Sequence, residues 1–227
     1  MGYPIYYVPY TKHPILQNQK SLNPIGVLLH STGANNPNLK RYVDYPSKFG
    51  VNQYGNHFNR PDADQTAHFY IGLDKNGSIA IAQVLPLDVA CWGCGAGVKG
   101  SFNYNPYGFI QIEICEDLTD EQYCAVAESA AAWLCAELCK QYNWQSKQVI
   151  SHKEAAIRGF ASSHIDPEHW INMNKFRDRV QHNIPPKSDN TIYKIQAGAF
   201  ANKKNAQEYL NQLQQAGFPA FIVSEVK

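Results

Sequence analysis

The sequence predicts an α/β fold, a mixed central β-sheet flanked by helices, followed by a small C-terminal βαβ unit. Three observations predict it. Short apolar runs such as residues 25–29 are interspersed with amphipathic stretches, the pattern of strands and helices layered on one sheet. One long stretch, residues 120–142, carries apolar side chains at intervals of three and four. A polar, proline-bearing segment at 182–190 then sets off a last stretch with its own strand–helix–strand pattern.

Taken in order, residues 1–24 are rich in Tyr and Pro and read as an extended arm. Residues 25–30 read as a buried strand, short and uninterrupted, ending at His30. Residues 34–64 are polar and read as a long loop with a short helix around 39–43. A loop of that length in a compact domain is often functional, and this one would border the His30 strand end. Residues 66–73 and 78–84 read as a hairpin, because Asp74-Lys75-Asn76-Gly77 supplies a turn that accepts positive φ. Residues 93–100 are a Gly-rich loop, and 109–115 form a strand with Glu113 inside it.

The helix at 120–142 takes Thr119 as its N-cap, with Gln122 completing a capping box. Ala127, Ala130, Leu134 and Leu138 mark its buried face. Residues 148–151 form a short strand ending at His152, and Pro167 opens a last helix at 168–181. Beyond the 182–190 linker, residues 191–197 read as a strand and 201–216 as an amphipathic helix stopped by Gly217. A second strand follows at 220–224. A lone βαβ of this size cannot bury much core, so it needs a partner, either a second chain or a domain surface.

Bulk properties exclude several classes. The 227 residues carry a formal net charge of +1, which gives no support for nucleic-acid binding. Hydrophobic content of 44% against 17% charged fits a globular protein with a true core. No apolar run approaches the roughly 18 residues that span a bilayer. Met1-Gly2-Tyr3-Pro4-Ile5 lacks the basic-then-apolar pattern of a signal peptide, so the expectation is cytoplasmic synthesis. Six cysteines in such a chain are expected to be reduced thiols.

Chemistry concentrates in three residues. His30 and His152 each end an apolar run, and Asp166 sits in the loop sequence Ser162-Ser163-His164-Ile165-Asp166-Pro167. Two histidines at strand ends and a loop carboxylate suit Zn²⁺ held by three protein ligands with a fourth position for water. Glu113 on a buried strand is costly without a purpose; it is either catalytic or one half of a structural salt bridge. His68 reads equally as a site-lining or a core histidine, while His13, His57, His169 and His182 read as surface or structural. Cys91-Trp92-Gly93-Cys94 has the spacing of redox or zinc sites, yet glycines rather than a helix follow it. Trp92, Phe102, Tyr104 and Tyr107 are either sugar-stacking platforms or loop anchors.

These residues carry a resemblance. Val27-Leu28-Leu29-His30-Ser31-Thr32, Thr66-Ala67-His68-Phe69-Tyr70-Ile71, Ile110-Gln111-Ile112-Glu113-Ile114, Ile150-Ser151-His152-Lys153-Glu154 and the 159–170 segment follow one another in the order of a known family. Residues 1–181 resemble the zinc-dependent type 2 N-acetylmuramoyl-L-alanine amidases, whose fold is shared with peptidoglycan recognition proteins, and look especially like prophage endolysins. The resemblance implies His30, His152 and Asp166 as zinc ligands, Glu113 as catalytic glutamate, and His164 as oxyanion donor where many members carry lysine. It implies His68 and Trp92 as substrate contacts, cell-wall peptidoglycan as partner, and release from the cytoplasm, for an endolysin, through a holin. One departure is Trp92-Gly93, where many members have Trp-His; another is a longer interval between His152 and Asp166. Residues 191–227 resemble half of a SPOR-type peptidoglycan-binding repeat, through Tyr193-Lys194-Ile195-Gln196-Ala197-Gly198-Ala199-Phe200, Asn205-Ala206 and Gly217-Phe218-Pro219-Ala220. A half repeat implies truncation or pairing with a second copy.

Overall fold

The structure is a computed structural model that describes residues 2–185, 197–218, 220 and 222. The chain divides into two compact units, residues 1–186 and 187–227. The first is built on six strands: β1 (Ile5–Tyr7), β2 (Val27–Ser31), β3 (Phe69–Leu73), β4 (Ile79–Gln83), β5 (Ile110–Ile114) and β6 (Val149–Ser151). They form one mixed sheet in the order β1-β4-β3-β5-β2-β6. β3 and β4 are antiparallel, and every other neighbouring pair is parallel. Its helices are α1 (Pro46–Phe49), α2 (Glu121–Tyr142), α3 (His152–Arg158) and α4 (Met173–Asn183); α5 (Lys203–Gln215) belongs to the second unit.

Side-chain alternation along the strands sorts the two faces. Val27 and Leu29 of β2, Ile110, Ile112 and Ile114 of β5 and Val149 of β6 point to one face. There they pack with Ala127, Ala130, Leu134 and Leu138 of α2 and with Phe176 and Val180 of α4. The intervening residues point to the other face. Leu28 and Ile150 meet Phe102, Phe109 and Ala155 there. His30 follows Leu28 by two and shares its face, as Gln111 and Glu113 share theirs on β5. Because β2, β5 and β6 are parallel, their C-terminal ends open at one edge, with His30 registered against Glu113. Crevices at such edges are where open α/β sheets place their sites.

Local chemistry explains where the elements differ from expectation. In the hairpin, Asp74 Oδ1 accepts the N–H groups of Asn76 and Ser78, and Gly77 sits at φ 78°. α2 is capped by Asp120, whose side chain accepts from Tyr123 N–H; Thr119 instead bonds Asp117. The expected helix at 168–181 begins later, at Met173, because the Asn172 side chain accepts from the N–H groups of Asn174 and Lys175. α3 is an element the apolar pattern did not predict. Ser151 and Glu154 close a reciprocal capping box at its start, a signal that was present in the sequence. The arm at 1–24 is partly structured: β1 pairs with β4, and residues Pro14–Gln17 form a 3-10 turn. The 34–64 loop holds a 3-10 turn at Leu39–Arg41 as well as α1.

In the second unit α5 occupies most of the expected helix, with Asn202 as its cap. The two strands expected at 191–197 and 220–224 fall largely outside the described residues. Among the described residues no helix is long and apolar enough to cross a membrane.

Candidate active site

The sheet edge brings His30, His152 and Asp166 together from the end of β2, the first turn of α3 and the loop after it. His30 Nδ1 lies 3.0 Å from His152 Nδ1 and 3.3 Å from Asp166 Oδ2, and His152 Nδ1 lies 3.4 Å from Asp166 Oδ1. The far side of each ring is already engaged. His152 Nε2–H donates to the backbone carbonyl of Ser162 at 3.1 Å, which in the neutral ring leaves the lone pair on Nδ1. His30 Nε2 meets Gln111 Oε1 at 3.0 Å. Burial pushes the His30 imidazole down against the opposing pull of Asp166, which keeps the ring neutral. Burial alone would raise the Asp166 carboxyl, but hydrogen bonding and charge attraction from His152 and His30 outweigh it and hold the group well below the usual carboxylate range.

Two imidazole Nδ1 atoms and a carboxylate therefore converge on one point. With both rings protonated on Nε2 alone, their Nδ1 lone pairs and the carboxylate would face one another, an arrangement that a cation at the centre would stabilise. Donor atoms around a tetrahedral zinc ion at 2.0–2.1 Å lie about 3.3 Å apart, and the three separations here match that spacing. Two imidazoles and one carboxylate are also a donor set that zinc accepts. The three residues can hold a metal ion. Asp166 Oδ2 receives Ser31 N–H at 3.4 Å, and Ser31 Oγ receives Trp170 Nε1–H at 3.3 Å, which braces the carboxylate from behind.

The site opens into a cleft of about 850 Å³. Glu113 lines it one strand away from His30. Its Oε2 is buried without a hydrogen-bond partner, and no salt bridge reaches it among the described residues. Burial, then the charges of Asp166 and Glu116, push its carboxyl well above the ordinary range. His164 stands at the rim, 61% exposed, stacked face to face on His152 with centroids 4.7 Å apart, and its Nδ1 lies 3.6 Å from Asp166. Trp92 lines the cleft as well, half-buried with its ring 5.5 Å from that of His13.

His68 is placed elsewhere, and its reading as a substrate contact is corrected. It is completely buried, with Nε2–H donating to Val89 carbonyl at 2.9 Å and Nδ1 accepting Gln111 N–H at 3.0 Å. No ring atom remains for a ligand. Burial pushes its pKa down to about 4. The unfolded chain therefore takes up a proton near pH 6.5 that the folded chain refuses until about pH 4, so stability falls as pH falls through that window. The loss attributable to His68 is about 3 kcal/mol. Thermal unfolding between pH 7 and pH 4 should show a shallower acid loss in His68→Gln than in the parent. Equal slopes would count against this assignment.

Several site residues were not anticipated. Glu116 is buried and accepts from His169 Nε2–H at 3.0 Å, and both line the cleft; nothing in their spacing announces the pair. Gln111 was legible as the strand-face partner of Glu113, two residues before it. The 34–64 loop contributes Tyr42 and Phe58, which pack with Tyr70 along the cleft wall. Phe102 is a loop anchor, buried against Phe109 and Phe160. All six cysteines are free, and burial raises the thiols of Cys91 and Cys94, which removes the thiolate a redox centre needs.

Residues 20–169 match the family described as N-acetylmuramoyl-L-alanine amidase, and residues 189–227 match the SPOR domain. No curated protein matches the chain. Among solved structures, a mutant endolysin from Bacillus subtilis is 20% identical, covers 78% of this chain and 99% of its own, and superposes with a TM-score of 0.56. The Staphylococcus aureus hydrolase AmiA, solved in complex with its ligand, is 16% identical over 81% of this chain and 83% of its own, with a TM-score of 0.55. The PlyG catalytic domain is 20% identical over 82% and 99%, with a TM-score of 0.54. At these identities the likeness speaks for the fold, a mixed sheet with flanking helices. The family match covers well over half of the chain and takes in the cleft from His30 to His169, so the protein belongs to the type 2 N-acetylmuramoyl-L-alanine amidases, with a SPOR domain following the amidase domain.

Proposed function

We propose that this amidase hydrolyses the amide joining the lactyl carbonyl of N-acetylmuramic acid to L-alanine of the peptidoglycan stem peptide, at a zinc centre formed by His30, His152 and Asp166. The observation that carries the reading is the convergence of three potential ligand atoms in one cleft, beside a carboxyl whose Oε2 is buried without a hydrogen-bond partner. Zinc bound there supplies the Lewis acidity that polarises a carbonyl and makes water nucleophilic near neutral pH.

The protein's own groups do the rest. Glu113 as the carboxylate takes the proton of the attacking water, and its burial, which favours the protonated form, suits it to hold that proton and return it to the leaving L-alanine amine. His164 stands at the rim to donate to the developing oxyanion. Trp92 and the Tyr42–Phe58–Tyr70 wall bound the groove in which glycan and stem peptide lie. Residues 1–181 form the catalytic domain, 182–190 the linker, and 191–227 a half-repeat that holds the enzyme on the wall, pairing with a second copy to complete its fold. A phage or prophage endolysin, reaching the wall through a holin, is the role that unites these parts.

Digestion of purified cell wall tests the reading. New L-alanine amino termini should appear without new reducing sugar ends, vanish with chelator and return with zinc. Reducing ends instead of amines would replace the amidase reading with a glycosidase. Protein that pellets with the wall yet releases no amines at any zinc loading would leave only recognition.

A further inference from the structure

The tautomer of His152 is set by a backbone carbonyl, but that of His30 is set by a side chain that can turn over. A glutamine amide presents either oxygen or N–H to its neighbour. If Gln111 presented N–H, His30 would have to carry its proton on Nδ1, facing His152 and Asp166, and could not bind a metal there. What holds Gln111 the right way round is therefore part of the site.

The structure traces the restraint to a fixed donor. Cys94 backbone N–H, which cannot turn over, donates to Asn103 Oδ1 at 3.2 Å, and the Cys94 thiol adds a second contact at 3.1 Å. Asn103 Nδ2 points the other way, to Gly95 carbonyl at 3.5 Å. With Asn103 Oδ1 thus fixed as an acceptor, Gln111 Nε2–H donates to it at 2.7 Å. Gln111 Oε1 is left for His30 Nε2–H at 3.0 Å. Both amides are fully buried or nearly so, which makes a wrong orientation costly. The backbone above is glycine, and a Cβ at Gly93 would clash with Gln111 Oε1.

We infer that Gln111, oriented by Asn103 and roofed by Gly93, is a positioning residue that locks His30 in the Nε2–H tautomer and aims its Nδ1 lone pair at the metal. The inference rests on the metal-centre reading above and adds three residues to it. The Cys91–Cys94 turn acquires a role through its backbone: it carries the N–H from which the relay starts.

The test uses the full chain. Zinc affinity is measured by competition with a chromophoric chelator, and the imidazole tautomers of the zinc-free protein by ¹⁵N chemical shifts above pH 8. Zinc-free wild type should show His30 protonated on Nε2. Gln111→Met removes the acceptor and should weaken zinc binding about 10–100-fold, the usual cost of losing an outer-shell partner. Gly93→Ala displaces the same oxygen without removing it and should weaken binding in the same direction. Asn103→Asp, which keeps the acceptor, should recover most of the affinity lost in Asn103→Leu. Melting of each zinc-free variant reports whether it folds, and the wild-type tautomer is decisive if one does not. An Nδ1–H tautomer of His30 in wild type, or wild-type affinity in folded Gln111→Met and Gly93→Ala, would overturn the inference while leaving the centre intact. Failure of wild type to bind one zinc would overturn the centre and the inference together.

Discussion

Asp166→Ala is expected to abolish stoichiometric zinc binding and to bring release of L-alanine amines down to background. Asp166 is the only anion among the three proposed ligands, and each of its oxygens faces one histidine Nδ1, at 3.3 and 3.4 Å. Without it two neutral imidazoles confront a dication with no compensating charge, in a pocket that already penalises charge. Loss of an outer-shell partner alone costs about 10–100-fold in metal affinity, so loss of a ligand costs more. Zinc content after dialysis and amine release from cell wall are the two readouts. A thermal scan supplies a third, because zinc should raise the melting temperature of wild type by mass action and leave that of Asp166→Ala unmoved. A variant that keeps one zinc and a tenth of the activity would place the centre elsewhere.

The second large effect belongs to Glu113→Gln, which should retain zinc while losing on the order of 10²–10⁴ in turnover, the range for removal of a general acid–base group. Its stability should move the opposite way. Glu113 Oε2 is buried without a partner, and its carboxyl is disfavoured as an anion first by burial and then by Asp166 and Glu116. An amide of the same shape removes the charge that burial penalises, so the zinc-free variant should melt at or above the wild-type temperature. Inactivity joined to undiminished stability is the signature of a group kept for chemistry at the expense of the fold. A variant that melts well below wild type would assign Glu113 to structure instead.

Much of the architecture was legible because its signals are local. The run ending at His30, the hairpin around Asp74–Gly77, the Ile110–Ile114 strand and the long α2 helix each announce themselves through a period of two, a period near four, or turn chemistry. The ends of elements were less legible, since one hydrogen bond decides them. Asp120 rather than Thr119 caps α2, and Asn172 delays α4 by several residues. β1 spans only three residues and exists because β4 offers it an edge, which no local pattern records.

The same division runs through the site. The sequence by itself determined which residues could do the chemistry: His30, His152, Asp166, Glu113 and His164 stand in readable order along the chain, and their types are those that metal-assisted hydrolysis needs. Only the tertiary structure decided how they are placed. It set three acceptor atoms 3.0–3.4 Å apart, withdrew His68 into the core, and joined Glu116 to His169 at the cleft wall. It also oriented His30 through Gln111 and Asn103. The reason is physical. A residue's type travels with the chain, whereas a tautomer, a buried unpaired carboxylate or an amide's orientation depends on atoms contributed by segments 8 to 122 positions apart.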